Sequence, residues 1–301
     1  MGVLLVEHAF AKINLTLDVM GRRPDGYHEV DMVMQTIDLA DVLTLEEDPA
    51  GAITLEANAS SVPLDERNLA HVAARVFRAN SGVNRGVRIL IDKQIPVAAG
   101  LAGGSADAAA VLRGLNRLWG TGKTTDELAA WGAAIGSDVP FCVRRGCAVA
   151  RGRGERLEPV NHRMHAWVVL VRPPVFVSTG DVYGALRAEE YSRRPRSPEM
   201  VRALAAGDFE AVRAGVHNVL APVTFRLYPE VARLAERVRH VAGVPVHMSG
   251  SGPTLFCLLP TRGSAQRVYH ALRGFMREVY LCRFLPSALA PPRGGRPSVE
   301  P

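Results

Sequence analysis

The sequence predicts an α+β protein of two domains, and three observations carry that expectation. Segments with strand and helix patterns are mixed along the chain without a regular βαβ alternation, which argues against a doubly wound parallel sheet. With 301 residues, 48% hydrophobic and 22% charged, the chain can bury one large core or two ordinary ones and has the composition of a globular protein. A polar, Gly/Arg-rich stretch at 151–163 divides it, so the expected domains are residues 1–157 and 158–286. The Pro- and Gly-containing tail, 287–301, is expected to be disordered.

Residues 11–19, AKINLTLDV, alternate Ile13, Leu15, Leu17 and Val19 with Lys12, Asn14, Thr16 and Asp18. This is the period-two pattern of a half-buried strand, with Lys12 and Asn14 together on its polar face. Pro24-Asp25-Gly26 is turn chemistry, and 30–45 and 53–56 read as further strand. In 68–79 the apolar positions 69, 72, 73, 76 and 77 have helical spacing, and 87–91 is again a strand. Helices follow at 105–118, stopped by Gly120, and at 124–135, with Asp126 and Glu127 in the first turn. Asp138 then falls in a tight turn that leads into an apolar strand, where a turn or N-cap role is the plain alternative to a chemical one. Short strands are expected at 147–150 and 167–171, helices near 199–206, 208–215 and 229–240, and strands near 254–259 and 278–284.

Lys and Arg number 36 against 30 Asp and Glu, a net charge of +6. The basic residues are scattered except for clusters at 144–156 and 193–196, and only 6% of residues are aromatic, too few for a base-stacking platform. A small anionic ligand fits the same charge, and no nucleic-acid partner is expected. The longest clean apolar stretch, 166–171, is far below the roughly 20 residues of a membrane span. Glu7 breaks an opening run that lacks the basic start of a signal peptide. Cysteines 142, 147, 257 and 282 form no CxxC pair, which reads as a reduced, cytoplasmic protein with buried thiols. His162 and His165 lack further metal ligands and read as surface residues.

The most informative segment is 96–108, PVAAGLAGGSADA, between an expected strand and an expected helix. Gly100, Gly103 and Gly104 let the backbone approach a ligand and take positive φ. Ser105 and Asp107 fall in the first helical turn, where unpaired N–H groups form an anion site. Capping by Ser105 or Asp107 is the alternative. Three glycines in five residues, with a hydroxyl at the helix start, favour phosphate. Gly122-Lys123-Thr124 imitates the end of a Walker loop, but Arg117 stands where its first glycine belongs and helix precedes it. The dinucleotide spacing is absent as well. A second glycine loop, MSGSGPT at 248–254, could close the same phosphate site from the other domain.

AKINL at 11–15, RPDGYH at 23–28, the glycine loop at 96–108, GSDVPF at 136–141 and MSGSGPT at 248–254 occur in this order and span most of the chain. Together they resemble the GHMP small-molecule kinases. The AKINL and DGYH segments with GSDVPF set the chain apart from homoserine, mevalonate or galactose kinases. An RNA-binding protein would not need Asp138 beside a phosphate loop. One departure is Ala102, where many relatives have glycine; its methyl is expected to narrow the loop slightly. The resemblance implies a GHMP-kinase-like fold, with an ATP-binding N-terminal domain and a C-terminal domain that closes over the substrate. It implies transfer of the ATP γ-phosphoryl to the 2-hydroxyl of a cytidine-diphosphate-linked methylerythritol, a step of non-mevalonate isoprenoid biosynthesis. On this resemblance Asp138 is the general base, and Lys12 keeps it ionised and neutralises charge in transfer. ATP would contact Asn68, at the adenine, and Pro96, Val97, Ala98, Ala99, Gly100, Leu101, Ala102, Gly103, Gly104, Ser105 and Ala106. The substrate would contact Asn14, Tyr27, His28, Tyr183, Gly250, Ser251 and Gly252, with Tyr27, His28 and Tyr183 toward the cytosine. Mg2+ would bridge the phosphates through Ser105. A monomer or weak homodimer without a membrane partner is expected.

Overall fold

The computed structural model describes residues 4–286, so the tail expected at 287–301 lies outside the described residues. β1 (Leu4–Arg22) and β2 (His28–Asp48) form a long antiparallel ribbon. It turns at Asp25, whose Oδ1 accepts the Tyr27 N–H at 3.1 Å, and at Gly26, whose φ of +87° is left-handed. β3 (Ile53–Ala57) and β4 (Gly86–Asp92) are parallel and joined by helix α1 (Leu69–Ser81). After them come α2 (Gly103–Leu118), α3 (Thr125–Ala133), α4 (Val139–Arg144), β5 (Cys147–Gly152) and β6 (Arg156–Pro159). β2 shares one edge between two partners: residues 42–48 pair with β4 and residues 30–35 with β5. The first sheet has the strand order β3-β4-β2-β1, with β5 paired to β2 and β6 to β5.

The remaining chain builds β7 (Trp167–Val171), α5 (Thr179–Gly184), α6 (Ser197–Ala206), α7 (Phe209–Gly215), β8 (His217–Asn218), α8 (Leu220–Leu227) and α9 (Pro229–Ala242). It ends in β9 (His247–Met248), β10 (Leu255–Leu259), α10 (Arg262–Arg273) and β11 (Val279–Arg283). A second, antiparallel sheet runs β11-β7-β10-β9. Both its faces are buried. Val168, Leu170, Phe256 and Leu258 enter the large core shared with the first sheet. Val169, Val171, Leu255 and Cys257 face the other way, onto Val231, Leu234 and Val238 of α9 and Ala265, Val268 and Leu272 of α10. This is the expected α+β architecture. β6 spans residue 157 and still pairs with β5, while β8, far beyond it in sequence, adds to the first sheet beside β1.

Three local expectations need correction. The strand at 11–19 is buried on both faces: Lys12, Asn14, Thr16 and Asp18 are at most 4% exposed. The C-terminal half covers the polar face. The Ser192 N–H donates to Val19 O (2.8 Å) and the Val219 N–H to Leu17 O (3.0 Å). Asp18 accepts from Ser192 Oγ and the Arg196 N–H. Second, an α-helix, α4, follows Asp138 instead of a strand. Pro140 in its first turn has no N–H to lose there, and the Cys142 N–H closes on Asp138 O at 3.0 Å. Third, His162 is partly buried, with Nε2 2.8 Å from Gln35 Oε1 and its ring edge-on to Phe284. The four cysteines are buried and free, and burial pushes the Cys142 and Cys257 thiols up to about 12. No helix among the described residues is long and apolar enough to cross a membrane.

Candidate active site

The glycine loop leaves β4 at a buried charge cluster. Lys93 Nζ lies 2.6 Å from both Asp41 Oδ2 and Asp107 Oδ2. The other Asp41 oxygen accepts the Gln94 and Ile95 N–H groups at 2.6 and 2.7 Å. β2, the start of the loop and α2 are thereby tied at one point. Asp107 therefore caps nothing. Burial pushes its carboxyl above the usual carboxylate range against the pull of Lys93, and Lys93, which burial alone would lower, is raised by Asp107 and Asp41.

The loop's left-handed residues are Ala98, Gly100 and Ala102, with φ of 53°, 74° and 59°. Gly103 and Gly104 instead begin α2 with ordinary helical φ, contrary to expectation. A Cβ on Gly103 would fall 3.1 Å from Ile95 Cγ2 and 3.3 Å from Lys93 Nζ, so this glycine lets the helix settle onto the charge cluster. Ala102 occupies a conformation that glycine adopts at no steric cost, which makes its methyl the loop's departure from its resemblance. Ala102 is also the N-cap of α2, and no side chain caps that helix, whereas Asn68, Thr124, Ser178 and Asp208 cap α1, α3, α5 and α7. The first-turn N–H groups of Gly103, Gly104 and Ser105 thus remain available to an anion at the cleft wall.

The second glycine loop does meet the first. Ser249 Oγ donates to Gly100 O at 3.0 Å, and a Cβ on Gly100 would lie 2.3 Å from Ser249 O and 3.0 Å from Gly252 O. Only glycine fits both the space and the φ. Gly100→Ala is expected to lower unfolding stability by about 2–4 kcal/mol, combining left-handed strain with overpacking against backbone. Gly104→Ala, whose Cβ meets only Leu69 Cδ1 at 3.7 Å, is the control expected to stay near wild-type stability. Urea unfolding of the pair checks this; equal midpoints would mean that the loops do not touch.

The glycine loop, the β1–β2 ribbon and the C-terminal half enclose a cleft of about 930 Å³. On its floor, Lys12 Nζ donates to Asn14 Oδ1 at 2.8 Å and stands 3.4 Å from Asp138 Oδ2. The Lys12 N–H donates to Leu101 O, which fixes β1 to the loop. Asp138 occupies the N-cap position of α4, yet its side chain makes no capping bond. The carboxylate is directed to Lys12 and the cleft. At the far end His28 lies against Tyr183 (ring centroids 5.2 Å apart) and edge-on to Tyr191 (6.1 Å). Burial, then the charge of Arg22, lower the His28 pKa and favour the neutral ring. Burial, reinforced by Asp138, keeps Tyr183 a phenol.

Most expected site residues converge. Lys12, Asn14, Tyr27, His28, Ala98, Ala99, Gly100, Ala102, Gly103, Gly104, Ser105, Asp138, Tyr183, Gly250 and Ser251 all line the cleft. Pro96, Val97 and Asn68 line an adjoining cavity of about 170 Å³. The Asn68 amide is occupied there: Oδ1 accepts the Ala70 N–H at 2.9 Å and Nδ2 donates to Pro63 O at 2.7 Å. Asn68 shapes the wall through α1. Leu101 and Ala106 are 1% exposed and belong to the core. Gly252 lies outside both cavities, backed by Met248. The sequence reasoning missed Lys93, Asp41 and Tyr191 as site residues, because no local pattern joins them. Among the described residues no group of three or more His, Cys, Asp or Glu could hold a metal.

Residues 68–146 match the GHMP kinases N terminal domain and residues 200–278 the GHMP kinases C terminal. The chain is 52% identical over 277 residues to a 4-diphosphocytidyl-2-C-methyl-D-erythritol kinase of Brevibacillus brevis, covering 91% of this chain and 94% of that one. A crystal structure of 4-(cytidine 5'-diphospho)-2C-methyl-D-erythritol kinase superposes with a TM-score of 0.78 at 35% identity, over 93% of this chain and 99% of the other. Homoserine kinase from Cytophaga hutchinsonii, 17% identical with a TM-score of 0.73 over 92% of this chain and 94% of its own, shares the fold.

Proposed function

From the premise that this chain belongs to the GHMP kinases and, within them, to the 4-diphosphocytidyl-2-C-methyl-D-erythritol kinases, we propose that its cleft transfers the ATP γ-phosphoryl to the 2-hydroxyl of 4-diphosphocytidyl-2-C-methyl-D-erythritol. The reaction serves non-mevalonate isoprenoid biosynthesis. The observation that carries this reading is the uncapped start of α2 in the same cleft as the Lys12–Asp138 pair.

Phosphoryl transfer asks the protein chiefly for positioning and charge stabilisation. The N–H groups of Gly103, Gly104 and Ser105 hold the ATP phosphates, with the adenine toward the smaller cavity walled by Pro96, Val97 and Asn68. Asp138 accepts the proton of the acceptor hydroxyl as it attacks phosphorus. Lys12, 3.4 Å away, pairs with that carboxylate and offsets charge on the transferring group. Asn14 holds the Lys12 ammonium in place from below, at 2.8 Å.

The chemistry of the site fits Mg2+ carried by the phosphates better than a protein-built metal cage. Ser105 lines the cleft in the first turn of α2, and its hydroxyl would ligate such an ion. Bound there, Mg2+ would neutralise phosphate charge. The four buried, unpaired thiols support a reducing, cytoplasmic setting.

ADP release measured against a panel of alcohols tests the proposal. Turnover is expected with the cytidine-diphosphate sugar alcohol; comparable turnover with homoserine or mevalonate would overturn it. At the aromatic end, His28→Ala is expected to raise KM for the sugar nucleotide by about 10–100-fold through lost base recognition, with KM for ATP nearly constant. Equal weakening of both substrates in steady-state kinetics would assign His28 to folding instead.

A further inference from the structure

Two guanidinium groups in the cleft form no close ion pair, although the charge of Arg153 is felt at the Asp25 carboxylate. Five arginines gather where the β1–β2 turn faces the β5–β6 turn, and three are ion-paired. Arg23 pairs with Asp25 and Glu29, Arg151 with Asp31 and Glu158, and Arg156 with Glu29. The other two, Arg22 and Arg153, line the cleft and form no ion pair among the described residues. The cleft wall carries one carboxylate, Asp138, and Lys12 already answers it. Unpaired cations on a concave wall favour an anionic ligand.

Their placement says which anion. The first turn of α2 serves the nucleotide phosphates, whereas both arginines stand at the aromatic end. Arg22 is the register partner of His28 in the β1–β2 ladder. The Arg153 guanidinium lies over the Tyr27 ring at 5.0 Å. Its turn is braced, with the Arg153 N–H donating to Glu155 Oε2 at 2.6 Å. The same turn reaches the reacting end, since a Cβ on Gly154 would fall 3.9 Å from Asp138 Oδ1. A ligand with its base among the aromatic rings and its alcohol at Asp138 must therefore pass whatever joins them beside these two cations.

We infer that Arg22 and Arg153 form a clamp for the diphosphate of the acceptor substrate, an assignment that rests on the substrate reading proposed for this cleft. The planar guanidinium fork matches paired phosphate oxygens. Stacking on Tyr27 leaves Arg153 less freedom to lose on binding. The clamp makes the site selective for a nucleoside diphosphate conjugate over the bare nucleoside.

Calorimetric binding of cytidine and of CDP to the full-length protein, with ADP saturating the nucleotide side, separates the two claims. The wild type is expected to bind CDP about 100-fold more tightly than cytidine. In the Arg22→Ala/Arg153→Ala double variant that preference is expected to fall to a few-fold, with CDP losing far more affinity than cytidine and ADP affinity unchanged. Arg153→Lys is expected to keep an intermediate preference, since charge without the fork remains. A CDP preference that survives the double variant overturns the clamp and leaves the substrate reading standing. Wild-type protein that binds neither cytidine nor CDP overturns the substrate reading itself.

Discussion

Asp138→Asn is expected to reduce turnover by about 10²–10⁴, the usual worth of a general base, with ATP and acceptor still binding within a few-fold. Asn keeps the volume and suits the start of α4 as well as Asp does, so what is lost is the proton acceptor and the negative charge beside Lys12. The carboxylate makes no capping bond that its replacement would sacrifice. Its one close ionic partner is Lys12, at 3.4 Å. Single-turnover phosphoryl transfer with both substrates saturating isolates the chemical step. Near-normal turnover would remove Asp138 from the mechanism and leave it as a residue of the turn.

Lys12→Met is expected to slow the same step by about 10²–10³, comparable to the loss of one preorganised donor at a developing charge. Met approximates the length of the aliphatic stem, and Lys12 itself is 4% exposed. The change strands Asn14 Oδ1, which now accepts from Lys12 Nζ at 2.8 Å, and leaves Asp138 without its counter-charge. An unsatisfied buried acceptor costs about 1–3 kcal/mol, so a lower unfolding midpoint should accompany the slower chemistry. The double variant with Asp138→Asn should lose less than the product of the two singles, because the residues act as one unit. Strict multiplicativity would mean that they act independently.

Much of this site was legible in sequence because its parts are local. A strand with Lys12 and Asn14 two apart, a glycine-rich helix start and an acid in a turn each announce themselves within a dozen residues. The α+β architecture followed from the same local patterns. What stayed hidden depends on distant partners. Asp41, Lys93 and Asp107 are 52 and 14 residues apart and meet only through the packing of β2, β4 and α2. The burial of Thr16 and Asp18 required the C-terminal half to arrive on a face that alternation marked as wet. α10 escaped notice because Ala265, Val268 and Leu272 give its apolar stripe only three small or medium contacts amid polar residues. The positive φ expected of Gly103 was assigned by residue type, whereas the structure gives that conformation to Ala102 one position earlier.

The interleaving of the sheets governs how the polypeptide can mature. Ile37 in the middle of β2 bridges to Phe284, the Leu285 N–H donates to Thr36 O, and Gln35 Nε2 donates to Leu285 O, some 250 residues downstream. Asp18 and the free edge of β1 wait for partners at 192–218. A nascent chain that has emerged only as far as β6 would leave Asp18 and the β1 edge bonded to water, with the apolar face beside them uncovered. Contacts this remote in sequence form slowly. The first sheet of the molecule is therefore closed last, by Phe284 and Leu285, some 250 positions downstream of the strand they complete.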